Sequence, residues 1–138
     1  MTTEQIQQDI IEEFSAFDDW MDKYQILIDL GNELPPLNPA YKTEENLIDG
    51  CQSRVWLHAR MKDGLLIFEA DSDAIITKGL IGLLIRVLSN HTPQEILDSN
   101  VYFIDAIGLT QHLSPTRSNG LLSMLKQIKT YALAYSKK

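Results

Sequence analysis

The stretch RVWLHARMKDGLLIFEA, residues 54–70, predicts the β-hairpin on which the fold is built. Its first half alternates apolar and polar side chains, as a strand with one buried face does. Asp63-Gly64 is a strong signal for a two-residue hairpin turn, and Leu65 to Ala70 forms the returning strand. The apolar face of the first strand comprises Val55, Leu57, Ala59 and Met61.

Helices are predicted before this hairpin. Apolar spacing places a first helix over residues 3–14. Ser15 with Asp18 resembles a capping start for a second helix, and Gly31 is the expected C-terminal cap of that helix. The polar residues 37–45 that follow predict a loop.

The helix after the hairpin is predicted to form the centre of the core. Ser72 with Asp73 can cap this helix, and residues 73–88 are apolar on nearly every side. Gly79 and Gly82 weaken the helix, so we expect them to permit the close approach of another backbone.

Three more helices are predicted toward the C-terminus. Thr92 to Glu95 has the pattern of a capping box with proline in the first turn. Residues 101–107 favour a short helix that Gly108 ends, and Ser114-Pro115 begins the last helix. All these elements together predict one α+β domain over residues 1–138, a small antiparallel sheet with helices packed on it.

Charge and composition narrow the function. The net charge is −7, and an acidic surface repels phosphate backbones, so we expect no nucleic-acid partner. The N-terminus lacks the basic start and apolar segment of a signal peptide. Residues 74–88, the most apolar stretch, contain Lys78 and Arg86 and are too short to span a bilayer. We therefore expect a soluble, cytoplasmic protein with no membrane partner.

Cys51, the only cysteine, lies just before the first strand, at the end of the hairpin away from its turn. A single thiol cannot form an internal disulfide, and it cannot alone supply the four thiolates that an iron–sulfur cluster usually needs. Gly50, Gln52 and Ser53 are polar or turn-forming neighbours. These neighbours favour an exposed loop, and therefore a reactive thiol over an inert buried one.

Other sites that could use Cys51 have weaker support. A cysteine hydrolase needs a histidine base, and His58, His91 and His112 are available, but no local signature of such an enzyme surrounds the cysteine. The same residues lack the paired spacing of a zinc site. The sequence therefore predicts neither a metal site nor a cofactor site.

Residues 50–56, GCQSRVW, resemble the signature of the SufE family of sulfur-acceptor proteins. Four further segments resemble that family in the same order, so the similarity covers nearly the whole chain. They are WMDKYQILIDLGNELP at residues 20–35, Asp71-Ser72-Asp73 with Lys78-Gly79-Leu80, Thr92-Pro93-Gln94, and Leu109 to Pro115 with Arg117, Ser118 and Gly120. Arg54 departs from the pattern, because the family often carries glutamine there, whereas the related CsdE branch can carry arginine.

The resemblance implies a carrier rather than a turnover enzyme, with an IscU/SufE-like fold. Family members accept sulfur from the persulfide of a cysteine desulfurase, and Cys51 matches the acceptor cysteine. The implied partners are a SufS-type desulfurase and an iron–sulfur scaffold complex of the SufBCD type. Pyridoxal phosphate belongs to the desulfurase, so the carrier needs no cofactor of its own. A homodimer remains open.

The implied chemistry suggests that the cysteine is protected from solvent at rest. An exposed persulfide would be lost to reductants and oxidants, so we expect Cys51 to rest against apolar surface and to swing out on docking. Gly50, Gln52 and Ser53 are supporting or docking candidates beside it. Trp56 and the loop near Leu113 are candidates for the shelter, with ordinary packing as the alternative for Trp56.

Charged residues are further candidates. A reactive thiol usually needs positive charge nearby, and Arg54, His58 and Arg60 are close in sequence. Arg117 falls in the first turn of the last helix, where a cation opposes the helix dipole. We expect Arg117 to steady the thiolate or persulfide or to dock the partner, unless it is an ordinary surface arginine. Asp73 is either a helix-start charge or a residue that tunes release of the loop.

Two alternatives to the carrier stay open. The first is a cysteine-dependent enzyme, a hydrolase or a thiol peroxidase, that uses Cys51 as its nucleophile and turns over alone. The second is an interaction module in which Cys51 is incidental.

Overall fold

Residues 1–137 are described by the computed structural model, and within them an antiparallel hairpin is surrounded by seven α-helices. This arrangement confirms the predicted α+β class. In these residues no helix combines the length and the apolarity that crossing a membrane requires. In chain order the elements are α1 (Thr3–Ser15), α2 (Trp20–Glu33), β1 (Val55–Lys62), β2 (Leu65–Ser72), α3 (Ile75–Leu88), α4 (Pro93–Asp98), α5 (Phe103–Ala106), α6 (Leu109–His112) and α7 (Pro115–Ser136).

The β1 and β2 strands pair along their whole length, and the two residues between them form the predicted turn. Asp63 and Gly64 both have positive φ, 54° and 82°, the geometry that matches the twist of the flanking strands. Val55 and Leu57 are fully buried, as predicted. Met61 belongs to the same face by alternation, but the turn end of β1 is exposed and leaves this side chain 41% accessible.

The α2 and α3 helices pack with their backbones in contact. A Cβ placed on Gly79 would overlap the Leu27 carbonyl oxygen, so only glycine fits there. Gly31 lies on the other side of this contact, where an added Cβ would be 3.0 Å from the Gly79 nitrogen. The predicted close approach is therefore confirmed at Gly79. At Gly82 an added Cβ would make only an ordinary contact, 3.4 Å from the Leu30 carbonyl oxygen.

Gly31 is not the C-terminal cap that the sequence predicts. The α2 helix continues to Glu33 and ends at Leu34, whose backbone is extended (φ −61°, ψ 131°). Pro35 follows, and its ring disfavours the helical conformation in the residue before it. Proline therefore ends the helix, and Gly31 serves the contact with α3.

The predicted start of α2 is also wrong. Ser15 is the last residue of α1 and does not cap α2. Asp19 rather than Asp18 is the cap, because its carboxylate accepts a hydrogen bond from the Met21 amide at 2.9 Å. The predicted capping is thus shifted along the chain.

Ser72 and Asp73, predicted to cap α3, instead bond the backbone of Arg54. The helix begins at Ile75 after Ala74, which supplies no side-chain cap. The Asp73 carboxylate accepts instead from the backbone amide of Arg54, at 3.0 Å. Ser72 Oγ donates to the Arg54 carbonyl oxygen at 2.7 Å. These two side chains therefore tie β2 to the chain that enters β1.

The three helices predicted toward the C-terminus are confirmed, and α6 between them was not predicted. Thr92 and Glu95 form a reciprocal capping box at α4, and α5 lies within the segment expected to be a short helix. Gly108 has φ 79° and separates α5 from α6. Ser114 Oγ accepts from the Arg117 amide at 3.2 Å and caps α7.

The segment between α2 and β1, predicted as a loop, contains two short 3₁₀-helices and is fastened to the hairpin. The Tyr41 ring stacks on His58 with 3.6 Å between centroids. Lys42 Nζ lies 2.8 Å from an Asp71 carboxylate oxygen. Both contacts hold this segment just before the loop that carries the cysteine. The 3₁₀-helices span Pro39–Tyr41 and Glu44–Asn46.

Gly79→Ala should lower the free energy of unfolding by about 1–3 kcal/mol, because the new methyl group overlaps the Leu27 carbonyl and must push α2 away. Gly82→Ala is the matched control in the same helix. It should be neutral or stabilising by up to about 1 kcal/mol, since helix propensity improves and the contact is ordinary. Urea unfolding of both variants measures the difference, and equal effects would contradict the packing described.

Candidate functional site

Cys51 lies at the tip of a short loop whose two ends are fixed. The Ile48 amide donates to the Val55 carbonyl oxygen at 2.9 Å, and Ile48 is buried. Leu47 forms a bridge with Trp56 in antiparallel fashion. Residues 49–54 therefore form the loop that joins these two paired segments, with residues 49–53 as its tip and Arg54 as its exit.

The tip rests on one turn of α7. Gly50 has φ 90°, and a Cβ added to it would overlap Ser123 Oγ. The Cys51 thiol donates to the Gly120 carbonyl oxygen at 3.6 Å. An added Cβ on Gly120 would lie 3.5 Å from Cys51 Sγ, so the sulfur lies directly on the helix. These contacts hold the thiol against α7.

The exit of the loop is held more firmly than its tip. Arg54 makes three hydrogen bonds through its backbone. Its amide donates to the Asp73 carboxylate at 3.0 Å, and its carbonyl accepts from the Asp73 amide at 3.3 Å and from Ser72 Oγ at 2.7 Å. Displacement of Arg54 would break all three hydrogen bonds and is therefore unfavourable. We expect the mobile part of the loop to be residues 49–53.

A cavity of about 350 Å³ opens beside the thiol. Its floor is apolar, since Leu80 and Met124 are almost fully buried. Its outer wall is polar and includes the first turn of α7. The lining residues are Cys51, Gln52 and Ser53 from the tip, Ala74, Thr77 and Leu80 from the start of α3, and Ser114, Thr116, Arg117, Gly120 and Met124 from α7 and its cap.

The resting environment favours the protonated thiol. Cys51 is half-buried, and desolvation by burial raises the pKa of its thiol. The hydrogen bond to the Gly120 carbonyl acts in the same direction, because a carbonyl oxygen accepts from the thiol and repels the thiolate. Cys51 at rest is therefore a weak nucleophile, since the thiolate is the reactive form.

The cavity brings together several residues that the sequence singles out. Gln52, Ser53 and Arg117 line it with Cys51. The fold therefore brings Arg117 to the cysteine site, although it is distant in sequence. Asp73 adjoins the cavity through Ala74 and through its bond to the Arg54 amide.

Trp56 and Leu113 do not belong to the cavity lining. The Trp56 ring is 5.6 Å from Lys42 Nζ, and the Leu113 side chain is buried in the core. The loop near Leu113 nevertheless contributes to the cavity, because Ser114 lines it. Gly120 contacts the sulfur instead. Gly120 could have been suspected, because a glycine inside a predicted helix often marks a close approach.

The three histidines lie away from the thiol. Within residues 1–137, none of them lines the cavity. His58 stacks on Tyr41, His112 stacks on Trp20 with 3.9 Å between centroids, and His91 is buried between backbone carbonyl groups. No side chain in the described cavity lining is therefore a histidine base for Cys51.

A hairpin that ends in one sheltered thiol, packed on helices, defines an α+β protein with a cysteine-centred site. The model of the SufE family, described as an Fe-S metabolism associated domain, matches residues 8–132. The chain belongs to this family, and it is therefore associated with iron–sulfur metabolism. The resemblance noted from the sequence is confirmed.

The fold has a counterpart among solved structures. The solution structure of a hypothetical protein from Thermus thermophilus matches with a TM-score of 0.80. The match covers 96% of this chain and 97% of that chain, at 21% sequence identity. At this level of identity the likeness supports the fold alone.

Native Cys51 should react with iodoacetamide more slowly at pH 8 than the same thiol in the urea-unfolded chain. Burial raises the pKa of the folded thiol, so its rate should continue to rise above the pH, about 8.5, at which an ordinary thiol is half ionised. Because Cys51 is the only cysteine, mass spectrometry counts the reaction without ambiguity. A native rate that levels off at the same pH as the unfolded chain would contradict the described environment.

Proposed function

We propose that this protein is a sulfur acceptor and an activator of a cysteine desulfurase, and that it carries sulfur as a persulfide on Cys51. The observation that carries the proposal is a lone thiol on a short loop, seated over a cavity that has room for further atoms. Membership of a family associated with iron–sulfur metabolism supports the same conclusion.

The transfer is an attack of a thiolate on sulfur. The Cys51 thiolate attacks the outer sulfur of the persulfide on the desulfurase cysteine. A new sulfur–sulfur bond forms at Cys51 while the bond in the desulfurase persulfide breaks, and the desulfurase cysteine leaves as a thiolate. The proton lost by the Cys51 thiol balances the proton that the leaving thiolate takes up. No net oxidation or reduction occurs.

Docking must change the position of the thiol before this step. In its seat the thiol is held protonated by burial and by the Gly120 carbonyl. Leaving the seat removes both influences and exposes the sulfur to the partner. We infer that residues 49–53 move outward between the paired Ile48 and the firmly bonded Arg54. The partner thus obtains a reactive thiolate only when it is present to use it.

The loaded tip can then return to α7. The cavity is large enough for one more sulfur, and its apolar floor limits access of water-borne reductants and oxidants. Arg117 lines the polar wall, where its guanidinium can attract a persulfide anion. Arg117 is therefore our candidate for steadying the loaded sulfur. Gln52 and Ser53 are candidates for contacts on the same wall.

The proposed partners are those that the family resemblance implies. We propose a SufS-type desulfurase as donor, with its own pyridoxal phosphate, and a SufBCD-type iron–sulfur scaffold complex as recipient. Our chain then acts as a carrier and not as a turnover enzyme.

Cys51→Ser should abolish stimulation of a cognate desulfurase, measured as the rate of alanine formation from cysteine. Serine keeps nearly the same size and can still donate to the Gly120 carbonyl, so the circular dichroism spectrum and urea midpoint should stay close to those of the wild type. Full stimulation by this variant would overturn the proposal in favour of an interaction module. Turnover of a thiol-dependent substrate by the isolated wild type would favour an enzyme instead.

A further inference from the structure

Two of the four arginines in the chain have a carboxylate partner among the described residues, and two do not. Arg60 Nε lies 3.1 Å from a Glu69 carboxylate oxygen, and Arg86 Nη1 lies 3.2 Å from a Glu13 carboxylate oxygen. The exposed guanidinium groups of Arg54 and Arg117 have neither an ion pair nor a hydrogen bond within residues 1–137. The chain carries 19 acidic side chains against 12 basic ones, so carboxylates are in excess.

The two unpaired arginines are the ones at the cysteine site. Arg117 lines the cavity, and Arg54 directly follows Ser53, which also lines it. A carboxylate is even present beside Arg54, but Asp73 uses it to accept from the backbone amide of that residue. The side-chain charge of Arg54 therefore has no partner among residues 1–137.

The backbone of Arg54 is fixed while the neighbouring tip is free to move. Three hydrogen bonds, to Asp73 and Ser72, hold it at the start of the hairpin. Cys51 lies three residues earlier, which limits the distance between the two Cα atoms to about 11 Å even when the tip is fully extended. A group bound by Arg54 would thus stay within reach of the sulfur throughout the transfer.

We propose that Arg54 is a docking residue that binds a carboxylate on the desulfurase surface beside its donor cysteine, and that it helps to select the desulfurase. This inference rests on the proposed function. Guanidinium groups pair with carboxylates through two parallel hydrogen bonds, which fixes orientation as well as position. In a chain of net charge −7, a local cation next to the cysteine also draws an acidic partner surface to the correct face.

The test compares Arg54→Glu, Arg54→Lys and Lys62→Glu as activators of the desulfurase at low salt. Lys62 is exposed at the turn end of the same strand, so its reversal changes net charge equally and serves as the control. Arg54→Glu should raise the concentration for half-maximal stimulation about three- to tenfold, whereas Lys62→Glu should change it less than about twofold. The half-maximal concentration for Arg54→Lys should lie between those of the wild type and Arg54→Glu.

Two further readouts separate docking from chemistry. The saturating rate should be the same for Arg54→Glu and wild type, because Arg54 binds the partner and does not touch the reacting sulfur. The difference between these proteins should shrink as salt rises from about 0.05 to about 0.5 M, since salt screens exposed charges. A lowered saturating rate with an unchanged half-maximal concentration would overturn the docking role.

The remaining outcomes also decide the matter. Equal effects of Arg54→Glu and Lys62→Glu would overturn the inference while the proposed function stands, provided the wild type stimulates. An Arg54→Glu defect confined to delivery of sulfur to the scaffold would likewise overturn it. If the wild type neither stimulates the desulfurase nor accepts sulfur, the proposed function fails and the inference fails with it.

Discussion

The contact between the Cys51 tip and one turn of α7 is the interaction on which the site depends. Gly50 fits against Ser123, and the Cys51 thiol donates to the Gly120 carbonyl. The contact covers the sulfur and favours its protonated form, because it removes water and presents a carbonyl oxygen. The thiol is thus held in its less reactive state by the helix that also forms the cavity wall.

The core places this helix and the cavity floor. The backbone contact between α2 and α3 at Gly79 sets the position of α3, and the next residue, Leu80, is part of the floor. Ser72 and Asp73 bond the backbone of Arg54, and the described residues provide no side-chain cap for α3. The Arg54 end of the cysteine loop is therefore firmly held, and residues 49–53 form its less firmly held tip.

Features set by near neighbours were predictable from the sequence. The Asp63-Gly64 turn, the capping box at Thr92 and the loop position of Cys51 depend on residues close in the chain. Features set by distant contacts were not. Gly31 matched a helix end but packs against α3, Asp73 matched a cap but binds Arg54, and the contact with the sulfur comes from Gly120 rather than from Trp56. Periodicity identifies a buried face but does not identify its neighbour.

The most direct test of the sulfur-acceptor claim is the intact mass of the protein after incubation with a cysteine desulfurase, pyridoxal phosphate and cysteine. The predicted result is a gain of one or more sulfur atoms, located on Cys51 by peptide mapping and removed by a thiol reductant. Omission of the desulfurase should leave the mass unchanged. No gain of sulfur, from a desulfurase shown to form its own persulfide and to bind this protein, would contradict the account.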